Sequence, residues 1–287
     1  MVRWSSLTLL LGVLVLAPLA RPAQAAEQNL RLGNPSGANA TDHDNFLMEK
    51  PYFSLSYNDK KGTPNWVSWR LSAEDIGHAK RFPFHADTTL PSGFKRVITK
   101  DYNSTGFDRG HMCDHGDRSA NDEMSEATFV MTNIIPQAPN VNRKAWEQFE
   151  SYCRDIVQTG KVLYIVCGPS GQGGEGTDGS GTVIGDEHEV VVPAKCWKVA
   201  LVLDRGGDNE LATISASTRA IAVIMPNDMS VGEEWKGFRV SIADVEKLTG
   251  YHFFDKLPPS VLESLKQKVD NEFIPPPVPH MWNEIAH

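Results

Sequence analysis

Four residues near the middle of the chain, Asp108-Arg109-Gly110-His111, carry side chains suited to hydrolysing a phosphate ester. An imidazole can accept a proton near neutral pH, and a neighbouring guanidinium can grip a phosphate through two parallel hydrogen bonds. Glycine between them allows backbone or substrate to approach closely. Hydrolysis needs a base for water, a cation on the phosphate and help for the departing oxygen. Read alone, the same four residues also suit a turn carrying a surface ion pair.

A second set of polar residues lies downstream. Residues Asn142–Gln158 read as a helix, because Ala145, Trp146, Phe149, Cys153, Ile156 and Val157 recur at three- and four-residue spacing. With Asn142 at 0°, the 100° step puts Glu150 near ~80° and Arg154 near ~120°, at the edge of that apolar stripe. Asn142 falls inside the stripe, where an amide needs a partner. Two ordinary roles fit these residues as well: Asn142 as a helix cap, and Glu150 with Arg154 as an i,i+4 ion pair.

Stepping along the chain, strands are expected near Tyr52–Tyr57, at Trp66–Leu71, Lys95–Thr99 and Thr128–Asn133. The continuous apolar run Lys161–Cys167 suits a central strand, and His188–Pro193, Trp197–Leu203 and Ala220–Met225 suit further ones. Ser241 and Asp244 form a capping box for a helix ending near Gly250, and Ser260–Val269 suits a last helix. Strands come in runs rather than alternating strictly with helices, which indicates α+β.

Residues 1–25 read as an export signal: Arg3, an apolar run from Leu7 to Ala20, then Ala23-Gln24-Ala25. That run is too short for a permanent anchor and no later stretch is apolar enough to span a bilayer, so the product is expected to be secreted or periplasmic. Removing the signal takes two arginines and no acid, leaving 26 basic against 36 acidic side chains and moving the net charge from −8 to −10. Proteins that coat polyanions are usually basic; here any positive charge for nucleic acid must be concentrated at a site. Four cysteines in an exported chain favour disulfides, with three possible connectivities. Cys167 and Cys196 sit in two candidate strands flanking a glycine-rich loop and pair first, leaving Cys113 with Cys153. The tail from 273 to 287, with Pro275-Pro276-Pro277-Val278-Pro279, is expected to be extended.

The run Asp108-Arg109-Gly110-His111 resembles the signature of the DNA/RNA non-specific endonuclease family, and Thr132-Asn133-Ile134-Ile135-Pro136-Gln137 through Asn142, Trp146 and Glu150 resembles its metal-binding segment. Leu32-Gly33-Asn34-Pro35-Ser36, Asn65-Trp66-Val67-Ser68-Trp69, Ile165-Val166-Cys167-Gly168-Pro169 and Pro226-Asn227-Asp228 extend the similarity over roughly residues 30–270. The resemblance implies one domain over 26–272, with a ββα-metal (His-Me finger) motif on a mostly antiparallel sheet flanked by helices. It implies cleavage of DNA and RNA with little sequence preference, leaving 5′-phosphate ends. His111 would be the general base and Asn142 the protein ligand of Mg²⁺, with Mn²⁺ or another divalent ion as substitutes. Glu150 would orient the surrounding waters, Arg81, Arg109 and Arg154 would hold phosphate, and Asn133 would fix the geometry. A protein inhibitor and a monomeric or dimeric state are both compatible with it. After His111 the chain departs from the family's small, proline-containing segment, reading Met112-Cys113-Asp114-His115-Gly116-Asp117.

Other readings compete. His111, Cys113, Asp114 and His115 could suggest zinc, though four ligands crowded into five residues lack a distant second pair. Gly171, Gly173 and Gly176 have dinucleotide-loop spacing, but no helix start follows to receive phosphates; a hairpin loop is expected. Asp42-His43-Asp44 reads as a solvated turn. Two other functions suit the composition: a phosphodiesterase for small diesters, and a non-catalytic module binding polyanions or an envelope partner.

Overall fold

The computed structural model describes residues 28–272, so the expected leader and the proline-rich tail lie outside the described residues. Strands β1 (Phe46–Glu49), β2 (Ser54–Asn58) and β3 (Thr63–Leu71) form a meander. A hairpin-like pair follows, β4 (Asp108–His111) and β5 (Ile134–Gln137), separated by the short helix α1 (Asp122–Ala127). After β5 the chain makes a π-helical turn at Val141–Ala145 that runs into α2 (Trp146–Gln158). Next come β6 (Lys161–Ser170), the short strands β7 (Gly174–Gly176), β8 (Gly179–Gly181), β9 (Val183–Ile184) and β10 (Val190–Val191), then β11 (Lys195–Asp204) and β12 (Arg219–Pro226). β13 (Arg239–Val240) and the helices α3 (Ile242–Thr249) and α4 (Pro259–Lys266) close the described chain.

Seven strands make one antiparallel sheet in the order β1-β2-β3-β6-β11-β12-β13, with β6 at its centre. Burial on both faces explains the unbroken apolar run of β6. Leu163, Ile165 and Cys167 pack into the core under α2, while Val162, Tyr164 and Val166 pack into the core under α3 and α4. The result is a three-layer α/β/α arrangement. Asn227, fully buried after β12, joins this scaffold to β5: its amide donates to the Pro136 and Pro193 carbonyls and accepts from Ala138 N–H.

Several local expectations change. Between Lys95 and Ile98 no strand forms, because side chains take the backbone donors: Asp59 accepts from Lys95 N–H and Asp101 from Ile98 N–H. The strand predicted at Thr128–Asn133 moves to Ile134–Gln137, since Met131–Asn133 is a tight turn held by the Asn133 side chain. Within His188–Pro193 only Val190–Val191 is a strand. The capping box of Ser241 with Asp244 and the left-handed Gly250 bound α3 as the sequence indicates. The glycine-rich loop is a β7–β8 hairpin.

The disulfide pairing is not present: all four cysteines are free and buried. Cys167 lies opposite Lys198, and Cys196 opposite Pro169, so the two are diagonal neighbours. Diagonal residues stand roughly 7–8 Å apart, against the ~4 Å between Cβ atoms that a disulfide requires. Cys113 and Cys153, the latter on α2 itself, both lie in the core between α2 and the sheet and are not bonded to each other.

Candidate active site

β4, β5, the π-turn and α2 form a ββα unit whose strands run antiparallel, with Asp108 opposite Gln137 and His111 opposite Ile134. Its strands are tightly apposed at Gly110, where an added Cβ would stand 2.6 Å from the Gln137 Cβ. Only glycine fits there without moving a strand. The π-turn inserts backbone where Asn142 must face inward, a common use of such turns at functional sites.

A cleft of about 320 Å³ opens at this unit, lined by Arg81, Arg109, His111, Asn142 and Glu150, five of the residues singled out above. Asp114, Arg143 and Glu147 complete the lining. A larger cavity of about 590 Å³ lies between β1 and α1. Phe46, Met48 and Val130 give it largely apolar walls and none of the motif residues reaches it, so chemistry rather than size selects the smaller cleft.

His111 stands at the end of β4, 7% exposed, with Phe129 edge-on at 4.9 Å and Phe84 at 5.1 Å. Its Nε2 is buried and has no hydrogen-bond partner among the described residues. Burial pushes its pKa down to about 4; Asp114 opposes that shift, while Arg81 and His115 reinforce it. The imidazole is therefore neutral, with an unprotonated ring nitrogen, across the neutral range.

Asn142 neither caps the helix nor is free to rotate. Its Nδ2 donates to Asp108 Oδ2 at 2.9 Å, and Asp108 also receives Arg143 through Nε (2.8 Å) and Nη2 (2.6 Å). Among the described residues nothing donates to Asn142 Oδ1. Asp108, a silent member of the motif in sequence, thus aims the amide by holding its nitrogen end. Arg109 is braced by the Thr99 carbonyl and Asn103, both at 2.7 Å, and its guanidinium lies 5.8 Å from the Phe84 ring centre. Arg81 is exposed and rests over Phe129 at 5.3 Å.

Glu150 and Arg154 do not pair with each other. Glu150 accepts from Lys198 Nζ at 2.9 Å. Burial pushes the Glu150 carboxyl up to about 8, with Lys198 pulling it back and Asp114 adding to the rise. Arg154 does not line the cleft; its Nη1 is held by Asp114 (2.5 Å) and Asp117 (3.1 Å), and these carboxylates outweigh burial and raise its pKa. Asn133 is also outside the cleft. Fully buried, it accepts from Cys113 N–H and donates to the Cys113 and Thr128 carbonyls, all at 2.9 Å, and so ties down the backbone after His111.

The zinc reading of the segment after His111 fails on geometry. Cys113 points into the core, Asp114 is bound to Arg154, and His115 stacks edge-on against Phe129. No three His, Cys, Asp or Glu side chains converge as a metal cluster among the described residues. Asp108, Arg143, Glu147 and Lys198 were not recognised as site residues from sequence. For Lys198 a signal existed: a lysine inside the apolar run Trp197–Leu203.

A ββα motif carrying an inward histidine and an inward asparagine, set on a large antiparallel sheet, defines a His-Me finger nuclease. Residues 34–260 match the family described as DNA/RNA non-specific endonuclease, and the chain belongs to that family. It is 43% identical to a nuclease of Nostoc sp. over 257 residues, covering 88% of this chain and 90% of that one. It is 33% identical to nuclease C1 of Cunninghamella echinulata var. echinulata, covering 84% and 92%. Mitochondrial endonuclease G of Bos taurus is 27% identical, covering 84% and 82%. A crystal structure of an EndoG/EndoGI complex superposes with a TM-score of 0.69 at 25% identity, covering 86% of this chain and 96% of that chain. The protein is a nuclease, a phosphodiester hydrolase.

Proposed function

We propose that the protein is an exported endonuclease that uses a divalent cation, Mg²⁺ foremost, to cleave DNA and RNA and leave 5′-phosphate ends. The observation that carries this reading is the convergence of His111, Arg81, Arg109 and Asn142 on one cleft. Contacts through phosphate and sugar rather than base edges account for low sequence preference.

The donor set fits a hard cation. Asn142 offers an amide oxygen whose nitrogen end is tied to Asp108, and Glu147 and Glu150 add carboxylates to the same cleft; oxygen donors suit Mg²⁺. Asn142 is the residue that would hold the ion. When bound, the cation supplies positive charge at the scissile phosphate and the departing oxygen. His111, neutral at working pH, takes the proton of the attacking water. Arg109 and Arg81 bind the phosphate oxygens, and Glu150 orients water in the cleft. Arg154 acts through Asp114, holding that carboxylate against the cleft wall.

The test is a cleavage assay on supercoiled plasmid and on RNA, with EDTA and with several divalent ions, for wild type and His111→Ala. Both substrates should be cut, EDTA should abolish cutting, and His111→Ala should lose at least ~10² in rate while still binding DNA. Activity confined to small diesters, or a His111→Ala variant that cuts like wild type, would overturn the reading.

A further inference from the structure

Lys198 is the least expected charge in this fold. It lies in β11, opposite Cys167 and Val223, at a position whose neighbours in strand alternation, Cys196 and Ala200, belong to the apolar core beneath α2. The side chain is 1% exposed. Its ammonium sits 4.3 Å from the Trp146 ring centre, with Trp69 at 5.7 Å and Phe149 at 6.0 Å. Among the described residues Glu150 is its single hydrogen-bond acceptor.

Burying an ammonium costs several kcal/mol, and a well-packed apolar residue of similar volume is often as good or better for stability. Stability therefore gives no reason to place lysine here. The partner does: Glu150 lies on the cleft wall, so Lys198 grips from behind a carboxylate that faces the reaction space. The three aromatic rings near the ammonium offset part of the desolvation. We infer that Lys198 is a positioning residue for Glu150: its buried ammonium holds Oε1 and thereby sets the direction in which the rest of the carboxylate meets the cleft.

The surroundings show which groups a change at Lys198 would disturb. Asp114 and Asp117 face the pair from the segment after β4, Arg154 and Cys153 from α2, and Cys167 from β6. Arg154 is committed to the two aspartates, so it does not replace Lys198 at Glu150 without breaking those bonds. Burial works against the lysine charge, but Glu150 and the other acidic groups outweigh it and keep the ammonium protonated. With the lysine removed, burial would act on Glu150 with only Arg154 left in opposition.

The inference rests on the reading that Glu150 acts in the cleft, and the experiment separates the two. Lys198→Met, which fills a similar volume without charge, is compared with Glu150→Gln and with the double variant. Cleavage is read as kcat and KM over pH, and folding by thermal melting. The Glu150 carboxyl carbon is titrated by ¹³C NMR in metal-free protein. Lys198→Met should lower kcat about 10- to 100-fold at neutral pH, as loss of an orienting partner does, with KM within about twofold. Its rate should recover in part at high pH, and the Glu150 titration should move upward in the absence of metal. The double variant should be no slower than Glu150→Gln. If Glu150→Gln cuts like wild type, the role of Glu150 fails. If Glu150→Gln is slow while folded Lys198→Met is fast, or Glu150 titrates as in wild type, only the Lys198 inference fails. Should Lys198→Met not fold, the ¹⁵Nζ resonance of Lys198 in wild type and Glu150→Gln decides: a strong change supports the pair, and an unmoved resonance refutes it.

Discussion

Asp108→Ala tests whether the motif's first residue acts through Asn142. Asp108 accepts from the Asn142 amide at 2.9 Å and from Arg143 at 2.6 and 2.8 Å. A hydrogen bond to a charged group contributes about 1.5–3 kcal/mol. If most of that energy holds the amide oxygen toward the cation, its loss weakens cation binding by about 10- to 150-fold, at about 1.4 kcal/mol per tenfold. Global stability should change by less than ~1 kcal/mol, because Arg143 is 67% exposed and its ion pair with Asp108 is a surface one. The assay is the cleavage rate titrated with Mg²⁺, alongside calorimetric Mg²⁺ binding without nucleic acid. The Mg²⁺ midpoint should rise by that factor, with near-normal rate at saturation. Asp108→Asn keeps an acceptor for Asn142 and should shift the midpoint less. A midpoint equal to wild type in Asp108→Ala, in protein that melts normally, would refute the argument that Asp108 aims the amide.

The pH profile should be set by Glu150 rather than His111. His111, with its pKa pushed down to about 4, is already neutral above pH 5, while Glu150 gains its negative charge as pH rises through about 8. Cleavage should climb along an alkaline limb that Glu150→Gln removes; a limb centred near 6.5 and unaffected by that substitution would count against this assignment. Gly110→Ala forces a methyl group against Gln137, so a melting measurement should show about 1–3 kcal/mol of overpacking destabilisation, with cleavage lost in step as β4 and β5 separate. Phe129→Ala removes a ring 1% exposed that contacts His111, Phe84 and His115 and should cost about 3–5 kcal/mol; denaturant unfolding within ~1 kcal/mol of wild type would contradict that packing. All four thiols should resist a thiol reagent in the native protein and react after unfolding without reductant; fewer than four in the unfolded chain would reveal a disulfide.

The local rules served well where a single periodicity or cap dominated. The apolar run of β6, the stripe of α2 and the capping box of α3 each specify their element from neighbouring residues alone. They failed where side chains captured backbone donors, as Asp59 and Asp101 do between Lys95 and Ile98. The helical wheel placed Glu150 and Arg154 together at an edge, and geometry then separated their partners. Two anions on Arg154, Asp114 and Asp117, and one cation on Glu150, Lys198, decide that outcome, and none of them lies on the helix.

By itself the sequence determined the chemistry available: a histidine and a guanidinium spaced by glycine, an asparagine 31 residues on in an apolar stripe, and the family to which that pattern belongs. Tertiary structure alone decided how those groups are aimed. The orientation of Asn142 depends on Asp108 across 34 residues, the setting of Glu150 on Lys198 across 48, and the neutrality of His111 on burial against Phe84 and Phe129. Desolvation and hydrogen-bond direction are properties of groups brought together by folding. They belong to the assembled cleft, and no single stretch of the chain contains them.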